Sequence, residues 1–475
     1  MYNDSGLNGD AQRVEQLVWM LFLKVYDAKE KEWKLYDDYY NSIIPDKYRW
    51  ENWAHDDKSG NALTGDPLLS FINNDLFPTL KNLNVNSDTE IRKSIVKTMF
   101  EDANNYMKDG VLMRQVINII DDLDFSDTDE SHTFGEIYET ILKDIQTESG
   151  EFYTPRAVTR FMAKMIKPQI GEKMADFACG TGGFITSWLA ELHDKIKDTK
   201  DRSVYDQSIF GIEKKQFPYM LCITNMLLHN IDHPQIYHDN SLLHDLLDYT
   251  DADKFDVILM NPPYGGREKK DVKDHFPADL ASSETADLFL AVIMYRLNKN
   301  GRAAAILPDG FLFGMDNAKV ALKKKLLSDY NLHTIIRLPG SVFSPYTSIT
   351  TNILFFENNG PTKETWYYRV DMPKGYKHFS KTRPMKLEHF DDVIKWWDNR
   401  EVVTVDGHDK AKNYTAQQLE IEFNYNLDLC GFPHEEEEIL PPDELIKNYK
   451  EKRAELDKQI DDKLNEICKL LEIEL

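Results

Sequence analysis

The chain has 475 residues, of which 41% are hydrophobic and 29% are charged, as is usual for a soluble globular protein of two or three domains. Its formal net charge of −24 excludes a protein that grips nucleic acid over its whole surface, because phosphate neutralisation needs clustered Lys and Arg. The longest apolar run near the start, Leu17 to Leu23, is too short to span a bilayer and lacks a basic leader and a cleavage site. We therefore expect a cytoplasmic protein without membrane association.

The four cysteines are far apart in the sequence and lack CxxC or metal-ligand spacing. They are Cys179, Cys222, Cys430 and Cys468. We expect reduced thiols and no metal site.

Residues 1–148 are rich in helical patterns and are predicted to form an N-terminal helical domain. One apolar face consists of Val14, Leu17, Val18, Leu21 and Val25, and a second extends from Ser94 to Asn118. The aromatic residues of this region include Trp19, Tyr26, Trp33, Trp50 and Trp53. We expect these rings in the core and at domain contacts rather than on a base-stacking platform.

Residues 149–371 alternate short apolar runs with helical patterns. The apolar runs are Met174 to Phe177, Ile209 to Glu213, Ile236 to Asp239, Phe255 to Met260, Arg302 to Leu307, Thr334 to Leu338 and Thr351 to Phe356. The helical patterns are Phe184 to Ile196, Gln216 to Asn230, Ala286 to Leu297 and Asn317 to Leu327. This alternation predicts an α/β fold whose mostly parallel sheet is covered on both faces. No helix separates the last two runs, so an antiparallel pair is expected at the end of the sheet.

Residues 372–475 have a weaker pattern that ends in a long helical segment. Glu435 to Glu438 is most simply a solvated acidic run, and Pro441-Pro442 precedes the helical segment Asp443 to Leu471. Its apolar residues approach heptad spacing from Leu456 onward, which is typical of a helix that packs on a partner. The alternative is a terminal helix that folds back on its own chain.

Ligands of such sheets bind beyond the carboxyl ends of the strands. The first strand ends at Asp176 and leads into the turn Gly180-Thr181-Gly182-Gly183, which lets the backbone approach a ligand and offers helix N–H groups to a carboxylate. The second strand ends at Glu213, a candidate acceptor for two ribose hydroxyls, and the third ends at Asp239, which suits an adenine amino group. Considered alone, each carboxylate is more often a solvated end, a cap or a turn residue.

The fourth strand ends in Asn261-Pro262-Pro263-Tyr264, which points to methylation of a planar amino nitrogen. The lone pair of such a nitrogen is delocalised, so the enzyme must supply acceptors for its hydrogens. The side-chain carbonyl of Asn261 and the backbone carbonyl after it are such acceptors, and neither proline adds a competing N–H. Tyr264 would stack on the substrate ring. In isolation, a strand end with a core tyrosine explains the tetrapeptide equally well.

The order of these features describes a nucleoside pocket beside an amino-methylating site, and longer motifs extend it to a family resemblance. The motifs are Glu151-Phe152-Tyr153-Thr154-Pro155-Arg156, DFACGTGGF, GIEKKQFPYMLCITNMLLH and NPPY, with GEIYE at 135–139 and LPGSVF at 338–343. Together they resemble the modification (M) subunit of type I restriction-modification systems, an N6-adenine DNA methyltransferase that uses S-adenosylmethionine. The resemblance covers nearly the whole chain. One small departure is at residues 177–179, where many relatives carry a proline.

The resemblance implies a Rossmann-like S-adenosylmethionine-dependent methyltransferase domain at residues 149–371. Residues 151–156 would pack over the cofactor, and Asp176 and the turn at 180–183 would contact it, with Thr181 to Gly183 at its methionine part. Glu213 would bind the cofactor ribose and Asp239 its adenine. Residues 261–264 would hold an adenine flipped out of duplex DNA, with direct transfer to N6 and no covalent enzyme intermediate.

The resemblance also implies partners. These are duplex DNA and a specificity (S) subunit, with two M subunits for each S subunit, and a complex of this kind can include a restriction (R) subunit. The long C-terminal helix would dock on helical spacers of the S subunit. The DNA target sequence is not readable here, since no segment remains for a dedicated base-reading domain.

Other substrates fit the same residues. The acceptor geometry also suits N4 of cytosine, and the tetrapeptide occurs in enzymes that methylate RNA bases or a protein glutamine. An inactive assembly scaffold is a further alternative.

Two basic stretches are candidate phosphate contacts. They are residues 267–273 (REKKDVK), directly after the tetrapeptide, and Lys323-Lys324-Lys325. The first is favoured because it would lie at the pocket mouth, and a mobile solvated loop is its alternative.

Overall fold

The computed structural model describes residues 1–85, 91–125, 138, 154–344, 347–380 and 383–431, together with helical positions between 446 and 463. Its contacts divide the chain into two compact units, Met1–Gly431 and Phe432–Leu475. The first unit holds both the N-terminal helices and the sheet. The three-part division at residues 148 and 371 remains a prediction.

Helices form the first part of the chain. They are α1 at Asp10–Tyr36, α2 at Trp50–Trp53, α3 at Gly65–Ser70, α4 at Phe77–Lys81, α5 at Ile91–Glu101 and α6 at Gly110–Asp121, with a π-helical turn at Phe71–Leu76. The five aromatic residues predicted for the core are at most 6% exposed. Their predicted place in the core is therefore confirmed.

The apolar face predicted from Ser94 to Asn118 is divided between α5 and α6. Asp109 begins the second helix, because its side chain accepts hydrogen bonds from the N–H groups of Val111 (2.8 Å) and Leu112 (3.0 Å). The carboxylate of Asp4 accepts from the N–H groups of Lys108 and Asp109 and fixes the chain just before this cap. These side chains compete with a continuous helix for the backbone N–H groups.

Ten strands form one sheet in the order β3-β2-β1-β4-β5-β7-β6-β8-β10-β9. They are β1 at Met174–Asp176, β2 at Ile209–Glu213, β3 at Ile236–His238, β4 at Phe255–Met260, β5 at Leu297–Pro308, β6 at Asn331–Arg337, β7 at Thr351–Glu357, β8 at Glu364–Arg369, β9 at Val403–Val405 and β10 at His408–Thr415. The first five strands are parallel, and β7 is antiparallel to both β5 and β6. All seven predicted strands are present, and the α/β fold is confirmed.

The antiparallel pair of β6 and β7 is not at the end of the sheet, contrary to the prediction. Strand β8 pairs parallel to β6, and β10 and β9 continue the sheet beyond it. The sequence does not indicate β8, β9 and β10, because these segments lack an aliphatic run. The central residues of β8 are aromatic, and only Ala411 of β10 is buried. The sheet thus continues past residue 371, and β6 has neighbours on both sides.

Helices cover both faces of the sheet. They are α7 at Arg156–Ile166, α8 at Gly183–His193, α9 at Thr199–Asp206, α10 at Gln216–Leu228, α11 at Lys270–Lys273, α12 at Thr285–Arg296, α13 at Asp309–Phe313, α14 at Asn317–Ser328 and α15 at Asp391–Trp397. Along β4, Val257 and Leu259 join one apolar cluster, whereas Ile258 and Met260 join the other. This alternation is why the strand is apolar at consecutive positions.

The N-terminal helices share one of these clusters with the sheet. Residues of α1 and α10 belong to the same apolar core. Around it, Lys29 Nζ donates to Asn230 Oδ1 at 2.6 Å, and Gln216 Nε2 donates to the carbonyl of Thr98 at 2.7 Å. The helical region therefore packs directly on the helix that follows β2.

The order of the strands reverses between β1 and β4. The chain adds β2 and β3 on one side of β1, then returns to place β4 and β5 on the other side. A reversal of this kind leaves a crevice at the carboxyl ends of the two central strands, where parallel sheets bind ligands. The glycine-rich turn follows β1 and the tetrapeptide follows β4, so the fold places both at this crevice.

The second unit contains helical residues between 446 and 463. Four of these residues, Ile446, Tyr449, Leu456 and Ile460, are more than half exposed and have the spacing of heptad positions. Their helical state agrees with the prediction, and the remainder of the predicted helix lies outside the described residues. None of the helices in the described ranges has the length and apolar character needed to span a bilayer.

Replacing Asp109 with alanine should loosen α6. The variant loses the acceptor of two N–H groups, which costs about 1 kcal/mol. Hydrogen exchange read by mass spectrometry should show faster exchange in peptides that cover residues 110–121. Asp109→Asn keeps an acceptor and should exchange like the wild type. Equal exchange in Asp109→Ala and the wild type would contradict the cap.

Candidate active site

The turn after β1 needs glycine for two reasons. Gly180 and Gly182 have φ values of +54° and +82°, a region that residues with a side chain rarely adopt. A Cβ on Gly182 would also lie 2.9 Å from Cys222 Sγ. Gly182 directly precedes α8, whose first N–H groups have no carbonyl partner within the helix. The turn therefore offers close backbone approach and N–H donors at the same place, as the sequence predicts.

Arg156 lies against this turn. A Cβ on Gly183 would be 1.8 Å from Arg156 Nη1, so the third glycine makes room for the guanidinium. Beside it, the hydroxyls of Thr159 and Ser187 are 2.8 Å apart and join α7 to α8. The structure thus brings the end of the predicted motif at 151–156 to the glycine turn. Glu151, Phe152 and Tyr153 of that motif lie outside the described residues.

Glu213 ends β2 with its carboxylate turned to the backbone around it. Its Oε2 accepts from the N–H of Gly180 at 2.9 Å, and its Oε1 accepts from the N–H of Lys215 at 2.8 Å. The residue is 8% exposed. The predicted ribose acceptor is therefore held rigidly beside the glycine turn. A carboxylate oxygen can accept more than one hydrogen bond.

Asp176 is the last residue of β1 and is buried. Burial raises the pKa of its carboxyl group to about 8, and the charge of Glu213 acts in the same direction. The N–H of Ala178 donates to its Oδ1 at 3.1 Å and lowers the pKa in part. A positively charged ligand beside this group would favour its ionised form.

Asp239 follows β3 and is exposed. Its Oδ2 is 2.8 Å from Nε2 of His244, and its Oδ1 accepts from the N–H of Asn240 at 2.7 Å. The hydroxyl of Ser241 donates to the carbonyl of Phe177 at 2.6 Å and ties this loop to the end of β1. The predicted adenine contact is thus at the same edge of the sheet, with His244 as a neighbour that the sequence did not indicate.

Asn261 directly follows the last residue of β4. Its Nδ2 donates to Thr154 Oγ1 at 2.9 Å. Its Oδ1 is buried, and no hydrogen bond to it is formed within the described parts of the chain. Pro262 is buried and Pro263 is exposed, and neither has an N–H to offer. A buried acceptor in this state is costly, and a ligand with an N–H group would satisfy it.

Tyr264 is buried rather than presented at the surface. It is 4% exposed, and its ring meets that of Phe343 edge to face at a centroid distance of 6.1 Å. Burial raises the pKa of its hydroxyl well above the usual value, and an interaction with the Asn261 side chain lowers it in part. Phe343 belongs to the LPGSVF motif, but nothing in the sequence indicates that it contacts Tyr264.

The two basic stretches differ in the structure. Lys269 and Lys270 are exposed, and the loop that carries them is anchored because the N–H of Glu268 donates to the carbonyl of Ser283 at 2.9 Å. Lys323 is fully buried and donates to the carbonyls of Leu312 and Gly314, and burial lowers its pKa to about 8. Lys323 is therefore a structural residue, and its prediction as a phosphate contact is wrong.

Two of the four cysteines meet in the folded chain. The thiol of Cys222 lies close enough to that of Cys179 to affect its ionisation, although 43 positions separate them by residue number. This contact and burial both raise the pKa of Cys179. Cys179, Cys222 and Cys430 are free and buried, and Cys468 lies outside the described residues.

Two family models match the chain. The N-6 DNA methylase model matches residues 129–438, and the HsdM N-terminal domain model matches residues 5–120. The first match contains the glycine turn, Glu213, Asp239 and the tetrapeptide. The second contains most of the helices that precede the sheet.

Known proteins match over similar lengths. The EcoEI type I restriction enzyme methylase subunit of Escherichia coli is 48% identical over 465 residues, which cover 96% of this chain and 93% of that protein. The StySPI type I methylase subunit of Salmonella potsdam is 27% identical over 409 residues, which cover 79% of this chain and 70% of that protein.

Solved structures of type I proteins are also similar to this chain over most of its length. The modification subunit from Vibrio vulnificus has a TM-score of 0.78 at 39% identity and covers 88% of this chain and 90% of its own. A chain from a study of complex assembly in the type I R-M system has a TM-score of 0.80 at 32% identity and covers 98% of this chain and 96% of its own.

These findings do not favour cytosine N4, RNA, a protein glutamine or an inactive scaffold over adenine in DNA. Reactions of this family depend on S-adenosylmethionine, and type I M subunits act with a specificity subunit and DNA. The chain therefore belongs to the N-6 DNA methylase family, as a type I restriction enzyme M subunit that methylates N6 of adenine in DNA.

Proposed function

We propose that the crevice between β1 and β4 is where a flipped adenine receives its methyl group. The buried Oδ1 of Asn261 carries this proposal, because this acceptor directly after β4 has no donor in the part of the chain that the structure describes. An adenine amino group brings N–H donors to such a position. Burial makes each hydrogen bond there stronger than it would be in water.

The residues around β1 fit S-adenosylmethionine, which supplies a methyl group on a positively charged sulfur. The open backbone at 180–183 and the start of α8 suit the carboxylate of its methionine part. Glu213 is fixed beside this turn and would accept from the ribose hydroxyls, while the more distant Asp239 would contact the adenine ring. The buried carboxyl group of Asp176 would ionise as the positive charge of the ligand approaches.

At the reacting nitrogen, the chain supplies acceptors rather than a base. Asn261 Oδ1 and the backbone carbonyl that follows would accept the two N6 hydrogens and favour a more tetrahedral nitrogen, whose lone pair then faces the methyl group. The new N–C bond forms as the C–S bond breaks, and one N6 proton leaves to solvent. Orientation and proximity supply much of the acceleration.

Tyr264 would hold the flipped base by stacking, which contributes about 1–3 kcal/mol for each base. Because the ring is 4% exposed and packed on Phe343, a base can enter beside it only if one of the two rings moves. No side chain needs to form a covalent bond with the base. The raised pKa values of the buried Cys179 and Cys430 thiols disfavour a thiolate nucleophile.

We further propose that the exposed seam of Ile446, Tyr449, Leu456 and Ile460 docks on helical spacers of an S subunit. Apolar residues at heptad spacing need a partner helix to leave water. Two M subunits would flank one S subunit, and an R subunit would complete the restriction complex. The base-reading function would then lie outside this chain.

Replacing Asn261 with alanine should lower methyl transfer by about 100-fold or more, because the variant has no side-chain acceptor for the amine. The affinity for S-adenosylmethionine in calorimetry should stay within about twofold of the wild type. Asn74→Ala, at an exposed residue of the N-terminal helices, is the matched control and should leave both quantities unchanged. Ordinary turnover in Asn261→Ala would refute the assigned role.

Changing Lys269, Lys270 and Lys273 together to alanine should weaken DNA binding and flatten its dependence on salt. For every phosphate that the protein no longer neutralises, the slope of log K against log salt becomes shallower by about 0.9. The control changes Lys173, Lys254 and Lys299, which lie at the opposite edge of the sheet and alter the net charge equally. If both triple variants show the same slope, the loop does not contact phosphate.

Changing Leu456 and Ile460 to serine should abolish co-purification with the S subunit, because the seam then has no apolar side chains at its centre. Glu451 and Lys458 lie on the opposite side of the same helix, and their change to serine leaves the net charge unaltered. This control should co-purify normally. Retention of the S subunit by the Leu456/Ile460 variant would sink the docking proposal.

A further inference from the structure

Thr154 joins the motif at 151–156 to the tetrapeptide. Its Oγ1 accepts a hydrogen bond from Asn261 Nδ2 at 2.9 Å, across 107 positions in the sequence. Both side chains are partly buried. The tyrosine of the tetrapeptide also interacts with the Asn261 side chain. The amide of Asn261 is therefore held by named contacts, whereas its Oδ1 has no donor among the described residues.

The orientation of this amide decides what it can bind. With Nδ2 directed at Thr154, the oxygen is left to meet an amine. If the amide rotated by half a turn, it would present N–H groups to a substrate nitrogen that itself carries hydrogens, and no hydrogen bond would form. The hydrogen bond between Asn261 Nδ2 and the Thr154 hydroxyl therefore affects where the amide oxygen Oδ1 points.

Thr154 is also close in sequence to the cofactor turn. Arg156, two residues later, lies against Gly183, where a Cβ would be 1.8 Å from its Nη1. The short segment 154–156 therefore touches the acceptor of the amine at one end and the glycine turn at the other.

We propose that Thr154 is a positioning residue that orients the Asn261 amide so that Oδ1 faces the substrate amine. This inference rests on the role proposed above for Asn261, and it adds to the cofactor contact that the family resemblance implies. It separates two functions of one motif, since the hydroxyl of Thr154 acts on Asn261, the residue proposed to hold the substrate amine.

The test compares Thr154→Val with Thr154→Ser. Valine keeps the shape and removes the hydroxyl, so kcat should fall about 10-fold, as expected for the removal of one hydrogen bond. The dissociation constant of S-adenosylmethionine in calorimetry should change less than about twofold. Serine keeps the hydroxyl and should restore kcat to within about threefold of the wild type. Thr154→Ala removes the hydroxyl without a branched side chain and gives the same test if the valine variant does not fold.

Thr365→Val is the matched control, because it removes a buried hydroxyl that bonds to the carbonyl of Leu332 on β6, on a strand remote from β4. Its kcat should equal that of the wild type. Three results would overturn the proposal: unchanged kcat in Thr154→Val, a parallel loss of cofactor affinity, or a serine variant as slow as valine. Asn261→Ala is measured alongside, and ordinary turnover there would refute the proposed function itself, whatever Thr154 does.

Discussion

The proposed chemistry depends on keeping hydrogen-bond donors away from one amide oxygen. Asn261 follows β4, whose backbone groups pair with β1 and β5, and the next two residues are prolines without an N–H. Thr154 engages the nitrogen of the same amide. What remains is a buried acceptor beside the strand that carries the glycine turn. Most other features of the edge, including the close packing of α7 on α8, keep this arrangement rigid.

Charge at the same edge presents a second constraint. Asp176, Glu213 and Asp239 place three carboxyl groups at the carboxyl ends of neighbouring strands, and the whole chain carries a net charge of −24. Ionised carboxylates suit a cationic ligand and repel a polyanion. On the proposed function, DNA would be held by local basic loops and by other subunits. A site that binds a cationic and an anionic substrate needs its acidic and basic groups in separate places. Here the three carboxyl groups lie at the ends of β1 to β3, whereas the exposed Lys269 and Lys270 follow β4.

Much of this fold follows from the sequence because β1, β2 and β4 to β7 lie inside the sheet and are apolar on both faces. The sequence does not indicate β8 to β10, because aromatic and polar residues stand where the inner strands have aliphatic ones. Parallel strands bring their carboxyl ends to one edge, which is why Asp176, Glu213, Asp239 and Asn261 were predicted together. Side-chain contacts between distant segments carry no such signal. The hydrogen bond of Asn261 to Thr154, the contact of Cys179 with Cys222 and the burial of Lys323 depend on packing that only the folded chain defines.

The two outer strands of the sheet affect how the protein behaves at high concentration. A ten-stranded sheet has two outer strands, and here both are only three residues long, Ile236–His238 and Val403–Val405. Outer strands expose rows of unpaired backbone groups that can recruit another chain and start aggregation. Outer strands of only three residues offer few unpaired backbone groups to a second copy of the chain. The sheet is thus poorly suited to pairing with a further strand, and helices, which cover both of its faces, are the surfaces that it offers to other proteins.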